Sequence, residues 1–182
     1  TESQKQMLLG SMLGDASLVT DTKNLKVRCN HSSKQTAYVL HQAQRLQAFI
    51  QTPPCICQNG GFGTERCHFS TISAPAFEFL RKMCLDVNNR KCVTQEWVDA
   101  LSWEGVAYWF MDDGSLGPSS ATFHTESFSK EEVEMLTTWF TKREMHAHAA
   151  PVVSRHDPSR TYYILTLDAK GTHVMLDNTR QY

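Results

Sequence analysis

The sequence predicts an α+β fold in which one supersecondary unit is used twice, each copy running helix, strand, strand, helix, strand, strand, helix. Three observations point there. Residues 7–18 and 105–116 match: each is an apolar, helix-like run that closes on an acid, a small residue and Ser-Leu. The two acids, Asp15 and Asp113, stand a little over half the chain apart. The elements that follow each run also match in order, which is the mark of a duplicated unit. The division falls near residue 100, with 1–100 as the first half and 101–182 as the second, in one compact pseudo-symmetric unit.

In the first half, the run to Leu13 is helical, with Gly10 and Gly14 four residues apart on one face. Glycine costs about 1 kcal/mol relative to alanine inside a helix, so the pair reads as a place where another backbone comes close. A polar, turn-rich stretch with strand character over 25–30 follows. Residues 35–50 then carry Tyr38, Leu40, Leu46, Phe49 and Ile50 on a broad helical face. Pro53-Pro54 breaks the chain before a hairpin over 55–72 that turns at Asn59-Gly60-Gly61. A helix over 76–85 closes the half, with Phe77, Leu80 and Cys84 on one stripe.

In the second half, 105–113 is the matching helix and 121–125 a strand. Ser129 and Glu132 form a capping box that opens a helix from 130 to about 143, with Val133, Leu136 and Phe140 at helical spacing. Strands follow at 150–154 and 161–167, joined by the turn-prone His156-Asp157-Pro158-Ser159. A helix over 172–177 ends the set. Trp97, Trp103, Trp109 and Trp139 are read as core or helix-packing residues.

At 182 residues, with 41% hydrophobic and 20% charged residues, the chain holds enough apolar material for a core. Its net charge of −1 argues against a strongly basic nucleic-acid coater or a polybasic membrane binder. It leaves room for a local basic stripe, and 16–34 is one, with Lys23, Lys26, Arg28 and Lys34 against Asp21. Residues 145–168 balance Arg155 and Arg160 against Asp157 and Asp168. No apolar run approaches the ~20 residues of a membrane span, and no secretory leader is visible. Six cysteines in a chain of this length suit a reducing compartment. Cys55, Cys57, Cys67 and His68 have a spacing unlike a standard zinc knuckle, and the cysteines are read as inward-facing strand residues. His146 and His148 point to one side of a strand, where they could hold a metal, but a lone pair of histidines rarely does.

If the two matching runs pack along a pseudo-twofold axis, their C-terminal ends converge and Asp15 and Asp113 lie side by side. Two carboxylates at helix C-termini repel each other and the helix dipoles. A hard divalent cation relieves both, and Mg²⁺ suits carboxylate oxygens and phosphodiester hydrolysis.

The runs Leu9-Gly10-Ser11-Met12-Leu13-Gly14-Asp15-Ala16 and Ala107-Tyr108-Trp109-Phe110-Met111-Asp112-Asp113-Gly114 resemble the paired motifs of the LAGLIDADG homing endonucleases, in their single-chain, two-motif class. The likeness extends to Val87-Asn88-Asn89-Arg90-Lys91 and to 127–134, and covers about 7–176. The resemblance implies two αββαββα halves whose antiparallel sheets form saddles astride duplex DNA. It implies a Mg²⁺ (or Mn²⁺)-dependent, sequence-specific, double-strand DNA endonuclease of the intron-homing type, acting as a monomer. Asp15 and Asp113 are the implied metal ligands, with Gly14 and Asp112 as secondary contacts. Lys91 and Arg160 match the basic residues near the scissile phosphates, although Arg160 replaces a lysine and is a poor proton acceptor.

The DNA-contact candidates on the strands are Lys23, Lys26, Arg28, His31, Lys34 and Arg66 in the first half. In the second they are His124, Arg155 and His156, with His146 and His148 beside them. The first half is expected to grip DNA better. The weak positive field leaves an alternative: a LAGLIDADG protein that binds intron RNA in splicing or organellar RNA processing. A mitochondrial or plastid location is expected.

Overall fold

The computed structural model describes residues 1–20, 24–58 and 65–182. The first half comprises α1 (Glu2–Leu13), β1 (Ser17–Thr20), β2 (Leu25–Ser32), α2 (Thr36–Arg45), β3 (Ile50–Cys57), β4 (Arg66–Thr71) and α3 (Glu78–Cys84). A linking helix α4 (Gln95–Ala100) precedes the second half. That half runs α5 (Trp103–Asp113), β5 (Gly114–Leu116), β6 (Ala121–Phe123), α6 (Lys130–Thr141), β7 (Ala147–Val153), β8 (Thr161–Leu167) and α7 (Ala169–Thr179). The strands make two antiparallel four-stranded sheets of the same order, β1-β2-β4-β3 and β5-β6-β8-β7. The duplicated helix–strand–strand–helix–strand–strand–helix arrangement is therefore present.

Local chemistry sets the element boundaries. Thr1 and Gln4 form a capping box at α1, and Ser129 and Glu132 form the expected one at α6. The helix expected over 35–50 stops earlier: the chain tightens into a 3₁₀ turn at Gln47–Phe49, and Ile50 pairs with Thr71. The helix expected from residue 76 likewise opens as a 3₁₀ turn, Pro75–Phe77, with proline at its first position. Pro53-Pro54 lies inside β3 instead of ahead of it. β3 is an edge strand whose register shifts between Thr52 and Cys55, and a bulged edge tolerates the missing N–H groups. Pro151 occupies an edge strand of the second sheet, β7, where a missing N–H is tolerated without a bulge. The short strands β1 and β5 are the first strand of each expected pair, for which the sequence pattern offered no range, and the helix α4 had no counterpart in it. The Asn59-Gly60-Gly61 turn lies outside the described residues.

The core is continuous across both halves. Trp97, Trp109 and Trp139 are buried in it, and Trp103 packs edge-on against Trp139. The buried indole N–H groups of Trp97 and Trp139 donate to the Leu9 and Leu101 carbonyls, so each tryptophan ties one helix to another chain segment. No helix among the described residues is long and apolar enough to cross a membrane.

Candidate active site

α1 and α5 meet along the seam between the halves, and glycine sets how closely. A Cβ added at Gly10 would lie 2.0 Å from the Gly105 carbonyl oxygen, and one at Gly14 would lie 2.3 Å from the Asp112 Cβ. Both are impossible contacts, so the two glycines are the close approach that their spacing implied. Gln6 of α1 fastens the far end: its side chain donates to the Ala100 carbonyl and accepts from the Ser102 N–H.

At the other end of the seam the helices deliver their terminal acids. Asp15 lies just past α1 with its side chain 41% exposed, whereas the Asp112 side chain is fully buried. The Asp112 carboxylate crosses the seam, made possible by the missing side chain at Gly14. It accepts the Asp15 N–H at 3.3 Å and the Tyr38 hydroxyl at 2.7 Å. His31 stands between the two acids, Nδ1 3.0 Å from Asp15 Oδ2 and Nε2 3.7 Å from Asp112 Oδ1. Burial pushes the Asp112 carboxyl up to about 7, against the lowering by Tyr38 and His31. Burial would lower His31, but the neighbouring Asp15 and Asp112 carboxylates outweigh it and raise its pKa.

Asp113, the matching acid at the end of α5, is pushed up to about 6 by burial and by the charge of Asp15; Lys91 and His124 oppose that shift. Lys91 reaches the same place from the loop after α3. Its Nζ donates to the Gly14 and Ala16 carbonyls at 3.0 and 3.1 Å, satisfying carbonyls of the turn that follows α1. Burial lowers the Lys91 pKa, and Asp113 is foremost among the charges that hold it up. Asp15, Asp112, Asp113 and Lys91 are thus brought together.

Other expected positions differ. His31 is not on the outer face of β2: it continues the inward row Leu25, Val27, Cys29 and is 4% exposed. Arg160 is not beside Asp113. Gly114 pairs with Phe123 and Phe123 with Leu165, so Arg160 sits five residues further along, roughly 16 Å at strand spacing. It stacks over the Tyr162 ring. Of the secondary metal contacts expected through a backbone or side-chain oxygen, the Gly14 carbonyl also accepts Lys91, and the Asp112 side chain, as distinct from its main-chain carbonyl, is turned into the seam. Tyr38, placed by its spacing in a helix core, is the functional neighbour that sequence reasoning missed.

The outward faces of both sheets carry troughs of about 430 Å³. Lys26, Arg28, Asn30, Arg66 and His68 line the first, together with Gln51, Thr52 and Ser70. His124, Arg155 and His156 line the second, but beside Val152, Val153, Tyr162 and Ile164. Lys34 is exposed in the 3₁₀ turn after β2, and Lys23 lies outside the described residues. His148 on β7 and His146 just ahead of it are exposed neighbours, their rings 5.8 Å apart. Cys67 faces inward, but Cys55 is exposed and Cys57 half-buried, both against His68, which corrects the inward orientation expected for them. The four residues do not converge, because strand alternation sends Cys67 and His68 to opposite faces.

Among the described residues, no group of three or more His, Cys, Asp or Glu side chains forms a metal cage. Asp15 and Asp113 still fit Mg²⁺. They are crowded enough for one to raise the other's pKa, and Mg²⁺ is commonly held by one or two carboxylates plus water and phosphate oxygens.

Known proteins share this fold. The chain is 27% identical over 144 residues to the probable intron-encoded endonuclease 1 of Wickerhamomyces canadensis, covering 73% of this chain and 62% of that protein. It therefore spans less than two thirds of that relative's length. The homing endonuclease I-WcaI bound to its DNA recognition sequence superposes with a TM-score of 0.84 at 21% identity, over 100% of this chain and 82% of that one. I-DmoI in complex with DNA and Mn gives a TM-score of 0.57 at 11% identity, over 98% and 96%. At these identities the two structures speak for the fold. Residues 5–170 match the LAGLIDADG DNA endonuclease family throughout, and the chain belongs to that family.

Proposed function

We propose that this chain is a sequence-specific double-strand DNA endonuclease of the intron-homing type, hydrolysing phosphodiesters with Mg²⁺ or Mn²⁺. One observation carries the proposal: two acids from matching helices meet at one seam, close enough for the charge of Asp15 to raise Asp113, with the buried Lys91 held on the carbonyls either side of Asp15. Asp15 and Asp113 would hold the cation, one at each of two sites. When bound, Mg²⁺ supplies charge stabilisation to the phosphate and activates water for attack. The chain's own groups do the rest. Lys91 spends two of its three N–H donors on main-chain carbonyls and keeps one for a phosphate oxygen. The paired strands present the two troughs to the duplex, as antiparallel ribbons fit the major groove, where base edges are distinguishable. A single chain supplies both halves, so each strand meets its own acid.

The test is cleavage of a randomised duplex library in Mg²⁺, with the cut ends sequenced. One discrete site, cut on both strands, is expected. Asp15→Asn and Asp113→Asn should each abolish the double-strand break while retaining duplex binding. A wild-type chain that cuts no duplex but binds structured intron RNA would replace the nuclease with an RNA-splicing role.

A further inference from the structure

The inward face of β2 runs Leu25, Val27, Cys29, His31, three buried apolar side chains followed by an imidazole. A histidine in that place has to be explained, because its ring is closed from solvent and neither nitrogen has a well-aligned hydrogen-bond partner. What surrounds it is not core hydrocarbon alone. Nδ1 is 3.0 Å from Asp15 Oδ2, Nε2 is 3.7 Å from Asp112 Oδ1, and the Tyr38 ring packs edge-on at 5.1 Å. The imidazole is wedged between an acid of its own half and an acid of the other.

The second half lacks this arrangement. Ser17 pairs with Arg28 and Ser115 pairs with Thr122, so the position matching His31 is Thr125. Thr125 is also buried, but its hydroxyl donates to the Tyr163 carbonyl at 2.9 Å, not to Asp113. The histidine beside Asp113 is His124, which is exposed and engaged with Ser115 and Glu126. One acid is braced from beneath and the other is not.

We propose that His31 is a positioning residue for Asp15: wedged against Asp112, it holds one Asp15 oxygen inward and leaves the other facing outward, which makes the two cleavage sites unequal. This rests on the nuclease reading above. An aspartate has two free torsions, and a misplacement of about 1 Å at a reacting group costs on the order of 100-fold in rate. Removing the brace should therefore slow one strand's cut and spare the other's.

Two measurements test this. In the free protein, without metal or DNA, the His31 ring ¹⁵N signals are read by NMR; Asp15→Asn should shift Nδ1 far more than Asp113→Asn does. On the duplex carrying the mapped site, each strand is end-labelled separately and both single-turnover rates are followed in Mg²⁺. The ratio of the two rates does not depend on how much of the protein is active, so partial misfolding leaves it unchanged. His31→Ala should slow the strand most sensitive to Asp15→Asn by about 10- to 100-fold and accumulate a nicked intermediate. His31→Asn, whose amide nitrogen occupies the place of Nδ1, should recover most of the ratio, whereas His31→Gln should not. Should His31→Ala fail to fold, the Asn and Gln variants carry the same comparison. Equal slowing of both strands, or an unchanged ratio in an active enzyme, overturns the inference alone; a wild type that cuts nothing overturns the nuclease reading and this inference with it.

Discussion

Gly14 and Asp112 occupy the same place in the two matching runs and face each other across the seam, one without a side chain and the other filling the space. A Cβ on Gly14 would stand 2.3 Å from that of Asp112 and 2.9 Å from its Oδ2. The duplicated motif has diverged in a complementary way: the glycine allows the buried carboxylate to reach Tyr38, His31 and the Asp15 N–H. Gly14→Ala should therefore destabilise the protein by about 1–3 kcal/mol, the usual cost of overpacking a closed interface. Paired with Asp112→Gly, it should cost less than the sum of the two single changes, because the residues are in contact. Urea denaturation of the four proteins measures this, and additive losses would show that the two positions do not share one space.

Burial of Asp112 also gives stability a pH dependence with a definite sign. Its carboxyl is raised from 3.8 to about 7, and that of Asp113 to about 6, so the folded state binds protons more tightly than the unfolded. Their stabilising contribution is complete below the unfolded value and lost as pH rises through about 6 to 7. His31, raised from 6.5, acts in the same sense, its contribution disappearing as pH passes its folded value. Asp86, Asp99, Asp157 and Glu131 are lowered and act oppositely, but only in the acid range below this interval. The metal-free, DNA-free protein should thus melt at a higher temperature near pH 5.5 than near pH 8, with a slope of up to about 1.4 kcal/mol per pH unit for each group. Asp112→Asn should flatten the profile. A melting temperature that rises with pH across this range would mean that Asp112 is solvated.

The duplicated fold was legible because its evidence is long-range and repeated: two matching runs and elements that follow them in the same order. The acids at the helix ends followed from the same repeat. His31 was misread because its charge was considered without the parity of its strand. Leu25, Val27 and Cys29 define an inward row, and counting two further assigns His31 to it. The contact between Asp112 and Tyr38 gave no local signal, since the two stand on α5 and α2 and only tertiary packing joins them. Arg160 was placed by sequence resemblance alone, and the strand register moves it to the outer end of β8.

The two troughs differ in chemistry, and the target should reflect it. Arg28 and Arg66 stand in the first trough, where a bidentate contact to guanine discriminates by about 1–3 kcal/mol. Arg28→Ala should weaken binding and relax base preference in one half-site. Val152, Val153 and Ile164 line the second, an apolar surface suited to the 5-methyl group of thymine. Replacing thymine by deoxyuridine should weaken binding in the half-site against this sheet and leave the other nearly unaffected. Titration of labelled duplexes with single replacements measures both; equal sensitivity of the two half-sites would remove the proposed division.

Cys55 offers a direct report on whether DNA covers the first sheet. Its thiol is exposed on β3, 3.6 Å from Nε2 of His68, and His68 lines the basic trough. Cys67 and Cys84 are buried, so iodoacetamide should alkylate Cys55 well before either in the folded protein. A duplex seated on the trough would close the approach to Cys55. Cognate DNA should therefore protect Cys55 strongly, while Cys92, half-exposed near the Lys91 loop, serves as an internal comparison. Peptide mass mapping after timed alkylation gives both rates. Unchanged alkylation of Cys55 under saturating duplex would place the DNA off this face and remove Lys26, Arg28 and Arg66 from the contact surface.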